Sequence, residues 1–120
     1  MAADTQLISL TAQEAVKLLG QRKVSPLELV EASAARIAAT DKAVNAMPTL
    51  CLDRARDHAK RIMAGKAPSV APWLAGLPIA VKDLNDVAGV RTTYGSPIYS
   101  DHVPERSDIM VERLEDRGCI

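Results

Sequence analysis

Gly76-Leu77-Pro78-Ile79-Ala80-Val81-Lys82-Asp83 is the stretch on which the fold of this chain turns. Its apolar run, Leu77 to Val81, is flanked by Gly76 and ended by two opposite charges. A run this short, with β-branched Ile79 and Val81, predicts a strand buried on both faces. Pro78 falls near its start, where one lost ladder bond is tolerable. Lys82 then becomes the informative position. A lysine closing a buried strand has its charge near a low-dielectric interior and needs a partner, a route to water or neutralisation. Burial lowers a lysine pKa, and a neutral amine is a competent general base. The residues alone leave two readings of Lys82 open, a solvated charge at a strand end or a base. Asp83 need not quench it in either, because successive strand residues point to opposite faces.

Upstream of this run the pattern is helical. Thr11 followed by Glu14 predicts a capping box, with Val16, Leu18 and Leu19 behind it and Gly20 as the left-handed residue that stops the helix. Ser25, Pro26 and Glu28 predict a second start, with Val24 and Leu29 placed as a hydrophobic staple. Leu27, Val30, Ala34 and Ile37 then recur at helical spacing, to an end near Thr40 and Asp41. A third helix is expected from about Thr49 to Ala64, with Leu52, Ala55, Ala59 and Ile62 on one face and Gly65 as terminator. The prolines and Ser69 between Lys66 and Pro72 read as an exposed connection.

Downstream, Leu84 to Pro104 carries Gly89, Thr92, Thr93, Gly95, Ser96 and Pro97 and reads mainly as loop. So long a loop in a compact domain points to function or to a missing partner. A last helix can start at Ser107 or Asp108, carry Met110, Val111 and Leu114 inward and end at Gly118. Cys119 and Ile120 read as the opening of another strand. A helix and strand alternation that stops there predicts an α/β domain cut short: amino-terminal helices packed on part of a mixed β-sheet. The apolar stripes left without cover predict that the isolated chain aggregates or packs loosely.

Composition narrows the function classes. At 120 residues, 48% hydrophobic and 25% charged, the chain is a soluble globular type with one thin core. With no Phe, one Trp and two Tyr, that core rests on aliphatic side chains. Fifteen basic and fifteen acidic residues leave no net field to attract nucleic acid or an anionic membrane. No apolar run approaches ~20 residues, and the first ten residues contain Asp4 and no basic residue, so no leader or membrane span is expected and the cytoplasm is the expected location. Cys51 and Cys119 lack metal or redox spacing and read as reduced, structural thiols. No metal or other cofactor is expected.

No other group completes a catalytic constellation. His58, amid charged helical residues, reads as a surface histidine. Asp101 and His102 have no nucleophile tied to them by spacing. Asp83 and Asp86 lack the histidines or third carboxylate that a metal needs. Gly89 and Gly95 do not have the spacing of a phosphate loop.

Gly76 to Asp83, followed by Gly89-Val90-Arg91-Thr92-Thr93-Tyr94-Gly95-Ser96, resembles the segment around the catalytic lysine in the amidase signature family. The agreement extends to the Ser25 to Glu28 helix start, to Asn45 and Ala46, and to Pro104 through Gly118, so it covers essentially the whole chain. The resemblance implies a truncated amidase-signature fold, residues 1–120 being the amino-terminal part of one amidase domain: a helical segment over 1–65, a connection over 66–75, and strand, lysine loop and helix over 76–120. It implies hydrolysis of a carboxamide by a Ser, cis-Ser, Lys triad, in which Lys82 takes the nucleophile's proton through the bridging serine, without a cofactor. The substrate implied for the complete enzyme is a small-molecule amide, and a homo-oligomer stays open. Both serines of the family lie in glycine- and serine-rich sequence downstream of the lysine, and no such sequence occurs here. Ser96 and Ser100 follow Lys82 too closely to take the nucleophile's place, so the chain is expected to be inactive alone. Two alternatives stand beside this reading: part of a tRNA-dependent amidotransferase subunit, and a non-catalytic interaction module built on the helical stripes.

Overall fold

Two capping boxes start the helical half of the chain, as a computed structural model covering residues 6–66 and 73–120 shows. The Thr11 hydroxyl accepts the Glu14 N–H while the Glu14 carboxylate accepts the Thr11 N–H, and α1 follows over Ala12–Gly20. Ser25 and Glu28 repeat the exchange, with Pro26 in the first turn, and open α2, Pro26–Val44. Helix α3 spans Leu52–Met63 and α4 spans Ile109–Asp116, with one 3-10 turn at Pro97–Tyr99. The third helix starts later than Thr49 because that hydroxyl is engaged elsewhere, accepting from Arg91 Nη1 at 3.2 Å.

Three of these four helices stop by the same device. After α1, the N–H groups of Arg22 and Lys23 reach back to the carbonyls of Leu19 and Leu18; after α3, Gly65 and Lys66 reach Ile62 and Arg61; after α4, Gly118 and Cys119 reach Glu115 and Leu114. This pairing satisfies carbonyls that the last turn leaves open, and it needs one left-handed residue. Those residues are Arg22, Gly65 and Gly118, with φ of 56°, 67° and 83°. Gly20, expected to stop the first helix, is instead its last helical residue, and Arg22 adopts the positive φ. Helix α2 also outruns its expected end at Thr40 and Asp41 by about a turn. The Asp41 carboxylate accepts the N–H groups of Ala46 and Met47 at 2.7 and 3.2 Å, so it caps the helix from within, and left-handed Asn45 ends it.

Ala15, Leu19, Leu29 and Ala75 form one buried cluster, with Val24, Trp73 and Leu77 packed against it. Val30 and Ala32 of α2, Ala59 of α3, Val111 of α4 and Cys119 are buried as well. From α4 only Val111 is fully inside; Met110, expected inward, is 45% exposed. Helix α2 packs on α3, and Arg56 adds a two-pronged ion pair to Glu31 at 2.7 and 3.0 Å. Arg54 reaches Glu115 at 2.7 Å and ties α3 to α4. All four side chains lie partly in water, so each pair contributes at most about 1 kcal/mol.

The expected buried strand does not form. Residues 77–82 have no strand assignment, and the only bridge among the described residues joins Val87 to Val90. Instead, 74–79 lies beside 117–120, turning at Ala75 and Gly76 before it extends: Leu74 donates to Arg117, Gly76 to Gly118 and Ile79 to Ile120, each at 2.7 Å, and Ile120 donates to Leu77 at 2.9 Å. A strand needs a repeated ladder with its neighbours, and here the pairing stops at Ile79. The backbone groups of Ala80 and Val81 bond to nothing among the described residues. The run is not buried on both faces either, since Ile79 is 37% exposed and Ala80 is exposed. The chain is thus a mixed helical assembly with extended connections, and a mixed sheet is not present among the described residues. Most of the expected connection, residues 67–72, lies outside the described residues.

Candidate functional site

Lys82 follows Ile79, where the pairing with 117–120 stops, by three residues, and it lines an apolar cavity of about 550 Å³. Val30 and Ile37 of α2, Ala55 of α3 and Val111 of α4 line the cavity together with Val81, so three helices and the segment ahead of Lys82 contribute to its wall. Lys82 itself is exposed, and its amine makes no hydrogen bond or ion pair among the described residues. The buried strand expected to close at Lys82 is absent, and nothing among the described residues covers the side chain.

Asp83 is held quite differently. Its carboxylate accepts the Thr93 N–H at 2.8 Å with one oxygen and the Thr93 hydroxyl with the other. The Thr93 hydroxyl, then the Thr93 N–H, with Arg91 adding a smaller attraction, hold the carboxyl below the usual carboxylate range against a small opposing effect of burial. Both Asp83 oxygens are thus committed, and neither pairs with Lys82.

The long segment after Asp83 is stitched down rather than loose. Asn85 Nδ2 and the Asp86 N–H both donate to the Asp108 carboxylate at 3.1 Å, and the Ala88 N–H donates to Ser107 Oγ at 2.9 Å. Asp108, at the start of α4, therefore spends its side chain on this segment and makes no side-chain cap bond. Further along, Gly89 donates to the Pro104 carbonyl at 2.9 Å and Thr92 to the His102 carbonyl at 3.0 Å. Arg91 Nε donates to the Ser100 carbonyl, and its Nη1 reaches Thr49 ahead of α3. The Tyr94 hydroxyl donates to Asp86 and sits 3.3 Å from His102 Nε2, with the Tyr99 ring edge-on at 5.0 Å. The bond to Asp86, desolvation and the nearby negative charge push the Tyr94 phenol up to about 12.

The remaining candidates fall as follows. Asp83 and Asp86 bind different partners, and no group of three or more metal-ligating side chains occurs among the described residues. His102 faces Tyr94, while Asp101 is exposed. Ser96 Oγ accepts the Ile98 N–H and opens the 3-10 turn. Cys51 and Cys119 are free thiols that line the cavity with Lys82; Cys51 is exposed, and burial raises the pKa of the Cys119 thiol. His58 corrects the sequence reading. It is 5% exposed, and its Nδ1 has no hydrogen-bond partner among the described residues. Burial first, with Arg61 and Arg54 assisting and Glu115 opposing, lowers its pKa. Sequence reasoning also missed the Asp83 to Thr93 tie and the Tyr94 to Asp86 bond, which join residues ten and eight apart through loop geometry that no periodicity announces. Only the unusual length of the loop hinted at them.

A family model described as Amidase matches residues 28–120. A glutamyl-tRNA(Gln) amidotransferase subunit from Anaeromyxobacter dehalogenans (strain 2CP-C) is 42% identical over 116 residues, covering 96% of this chain and 24% of that protein. The AtzE subunit of 1-carboxybiuret hydrolase from Pseudomonas sp. (strain ADP) is 38% identical over 109 residues, covering 89% of this chain and 24% of that protein. A solved structure, described as an unexpected vestigial protein complex that reveals the evolutionary origins of an s-triazine catabolic enzyme, superposes with a TM-score of 0.82 at 31% identity, covering 92% of this chain and 25% of that one. The chain spans about a quarter of the length of the curated relatives it matches.

Proposed function

Since the chain belongs to the amidase family, whose model takes in residues 28–120, we propose that it supplies the lysine-bearing part of a hydrolase that cleaves carboxamide C–N bonds. The observation that carries this reading is the position of Lys82: it lies in the segment that resembles the family's lysine motif and lines the apolar cavity, with its amine uncommitted among the described residues. The family resemblance assigns Lys82 the role of general base, acting through a bridging serine on a nucleophilic serine. The serine attacks the amide carbonyl, the amine or ammonia leaves, and water releases the acyl group. No cofactor enters this scheme. The chain's 120 residues contain no glycine- and serine-rich stretch of the kind that carries those serines, so turnover requires them from elsewhere.

Relatives that are amidotransferase subunits favour one refinement, in which the amide is hydrolysed to hand its nitrogen to a partner's substrate. A chimera tests the main reading. Residues 1–120 replace the matching quarter of the AtzE subunit of 1-carboxybiuret hydrolase, and amide hydrolysis is measured with and without Lys82→Ala. Turnover abolished by that change supports the proposal. A folded chimera that keeps its activity without the amine contradicts it.

A further inference from the structure

The Lys82 amine makes no hydrogen bond or ion pair among the described residues, so the backbone beside it, where the Lys82 carbonyl accepts the Asn85 N–H at 2.9 Å, decides where that amine can go. That backbone is anchored one residue later. Asp83 gives one oxygen to the Thr93 N–H at 2.8 Å and the other to the Thr93 hydroxyl. The anchor point is buried, with Thr93 9% and Thr92 3% exposed. The Thr93 hydroxyl also accepts the Gly95 N–H at 3.2 Å, and the Thr93 carbonyl accepts the Ser96 N–H at 2.9 Å. A hydroxyl that donates to one group and accepts from another has its rotamer set, so the tie is stiff. Hydrogen bonds to an ionised carboxylate are also among the stronger ones a protein makes. The next ties, from Asn85 and Asp86 to Asp108, come only two residues further on.

Resting on the reading of Lys82 as the family's catalytic lysine, we propose that Asp83 is a positioning residue: by binding Thr93 it fixes the peptide from which Lys82 departs and keeps the Lys82 amine at the cavity wall. With Asp83 in place, only the side-chain torsions of Lys82 remain free. Without it, the chain between Ile79, the last residue paired to Ile120, and Asn85 keeps among the described residues only the turn bond from the Asn85 N–H to the Lys82 carbonyl at 2.9 Å.

The exposed thiol of Cys51 lines the same cavity and supplies a ruler. A short amine-to-thiol crosslinker is applied to the full 120-residue chain, and the Lys82 to Cys51 link is quantified by peptide mapping, with Lys82→Ala as the blank. The native chain forms the link. Asp83→Ala and Thr93→Val lower its yield about tenfold, the factor set by losing one charge-assisted hydrogen bond, while Thr93→Ser, which keeps hydroxyl and N–H, restores it. Circular dichroism establishes that each variant is folded, and if Asp83→Ala is not, Thr93→Val decides. Link yields unchanged in folded variants, with only the urea midpoint lowered, would mean that Asp83 serves stability alone and would overturn the proposal. Failure of the chimera experiment removes the catalytic reading of Lys82 without altering the link yields, so the two failures are distinguishable.

Discussion

Replacing Gly118 with Ala isolates a single packing contact, because Gly65 occupies the same position in an identical helix terminator. Both have positive φ, 67° at Gly65 and 83° at Gly118. A Cβ at residue 65 meets nothing within 4 Å, whereas one at 118 falls 2.6 Å from Trp73 Cη2 and Cζ3 and 2.9 Å from Cε3. Gly65→Ala therefore carries backbone strain alone, about 1–2 kcal/mol, less a few tenths recovered from the stiffer unfolded chain. Gly118→Ala adds an overlap of roughly 1 Å relative to normal carbon contact, for which overpacking costs about 1–3 kcal/mol. Relief by backbone movement is opposed by the four hydrogen bonds that fasten 117–120 to 74–79. The expected losses are about 1 kcal/mol at residue 65 and about 2–4 kcal/mol at residue 118. Urea unfolding reads both, and Trp73, the only tryptophan, reports the contact by its fluorescence. With a slope of about 1–3 kcal/mol per molar urea, the two midpoints should separate by about 1 M. Coincident midpoints, or an unchanged Trp73 spectrum in folded Gly118→Ala, would refute the packing argument.

Acidification should weaken the fold in a window set by His58. Its folded pKa is lowered, so the unfolded chain takes the proton first; the contribution is whole above the unfolded value of about 6.5 and is lost as the pH falls below it. Urea midpoints measured from about pH 8 to 5 should decline in the native chain and stay level in His58→Leu, and equal slopes would refute the assignment. The Asp83 carboxyl, also lowered, titrates further down: its contribution is present above about 3.9 and is lost only as the pH falls toward its folded value. For Tyr94, ultraviolet titration should show a tyrosine that ionises only near pH 12, and Tyr94→Phe should abolish that late step. Arg22→Gly removes a side chain from a left-handed position at φ 56° and should raise the urea-derived stability by about 0.5–1 kcal/mol. A fall would mean that the Arg22 side chain stabilises the turn.

What can be read from the residues is what local chemistry decides. Thr11 with Glu14 and Ser25 with Glu28 satisfy each other within one turn, so their helix starts are legible. Helix ends depend on less local facts: Asp41 has the look of a stop but accepts from residues beyond itself, and Arg22 displaces the glycine that is the natural terminator. The charged neighbours of His58 mislead, although Ala55, His58 and Ile62 fall on one helical stripe. The run from Leu77 to Val81 has a strand's composition without the partners that make a strand. At the site, Lys82 is marked by family resemblance rather than by periodicity. The Asp83 to Thr93 tie is out of reach because it closes through a loop.

The bare peptide groups of Ala80 and Val81 give the neighbourhood of Lys82 an uneven stiffness. Downstream, every few residues are fastened to the start of α4 or to Thr93; upstream, the amides of Ala80 and Val81 bond to nothing among the described residues. Deuterium from the solvent should therefore replace their protons long before it reaches those of Asp86 and Thr93. Thermal agitation would enter the lysine's surroundings from that one flank, like a door hung on a single jamb.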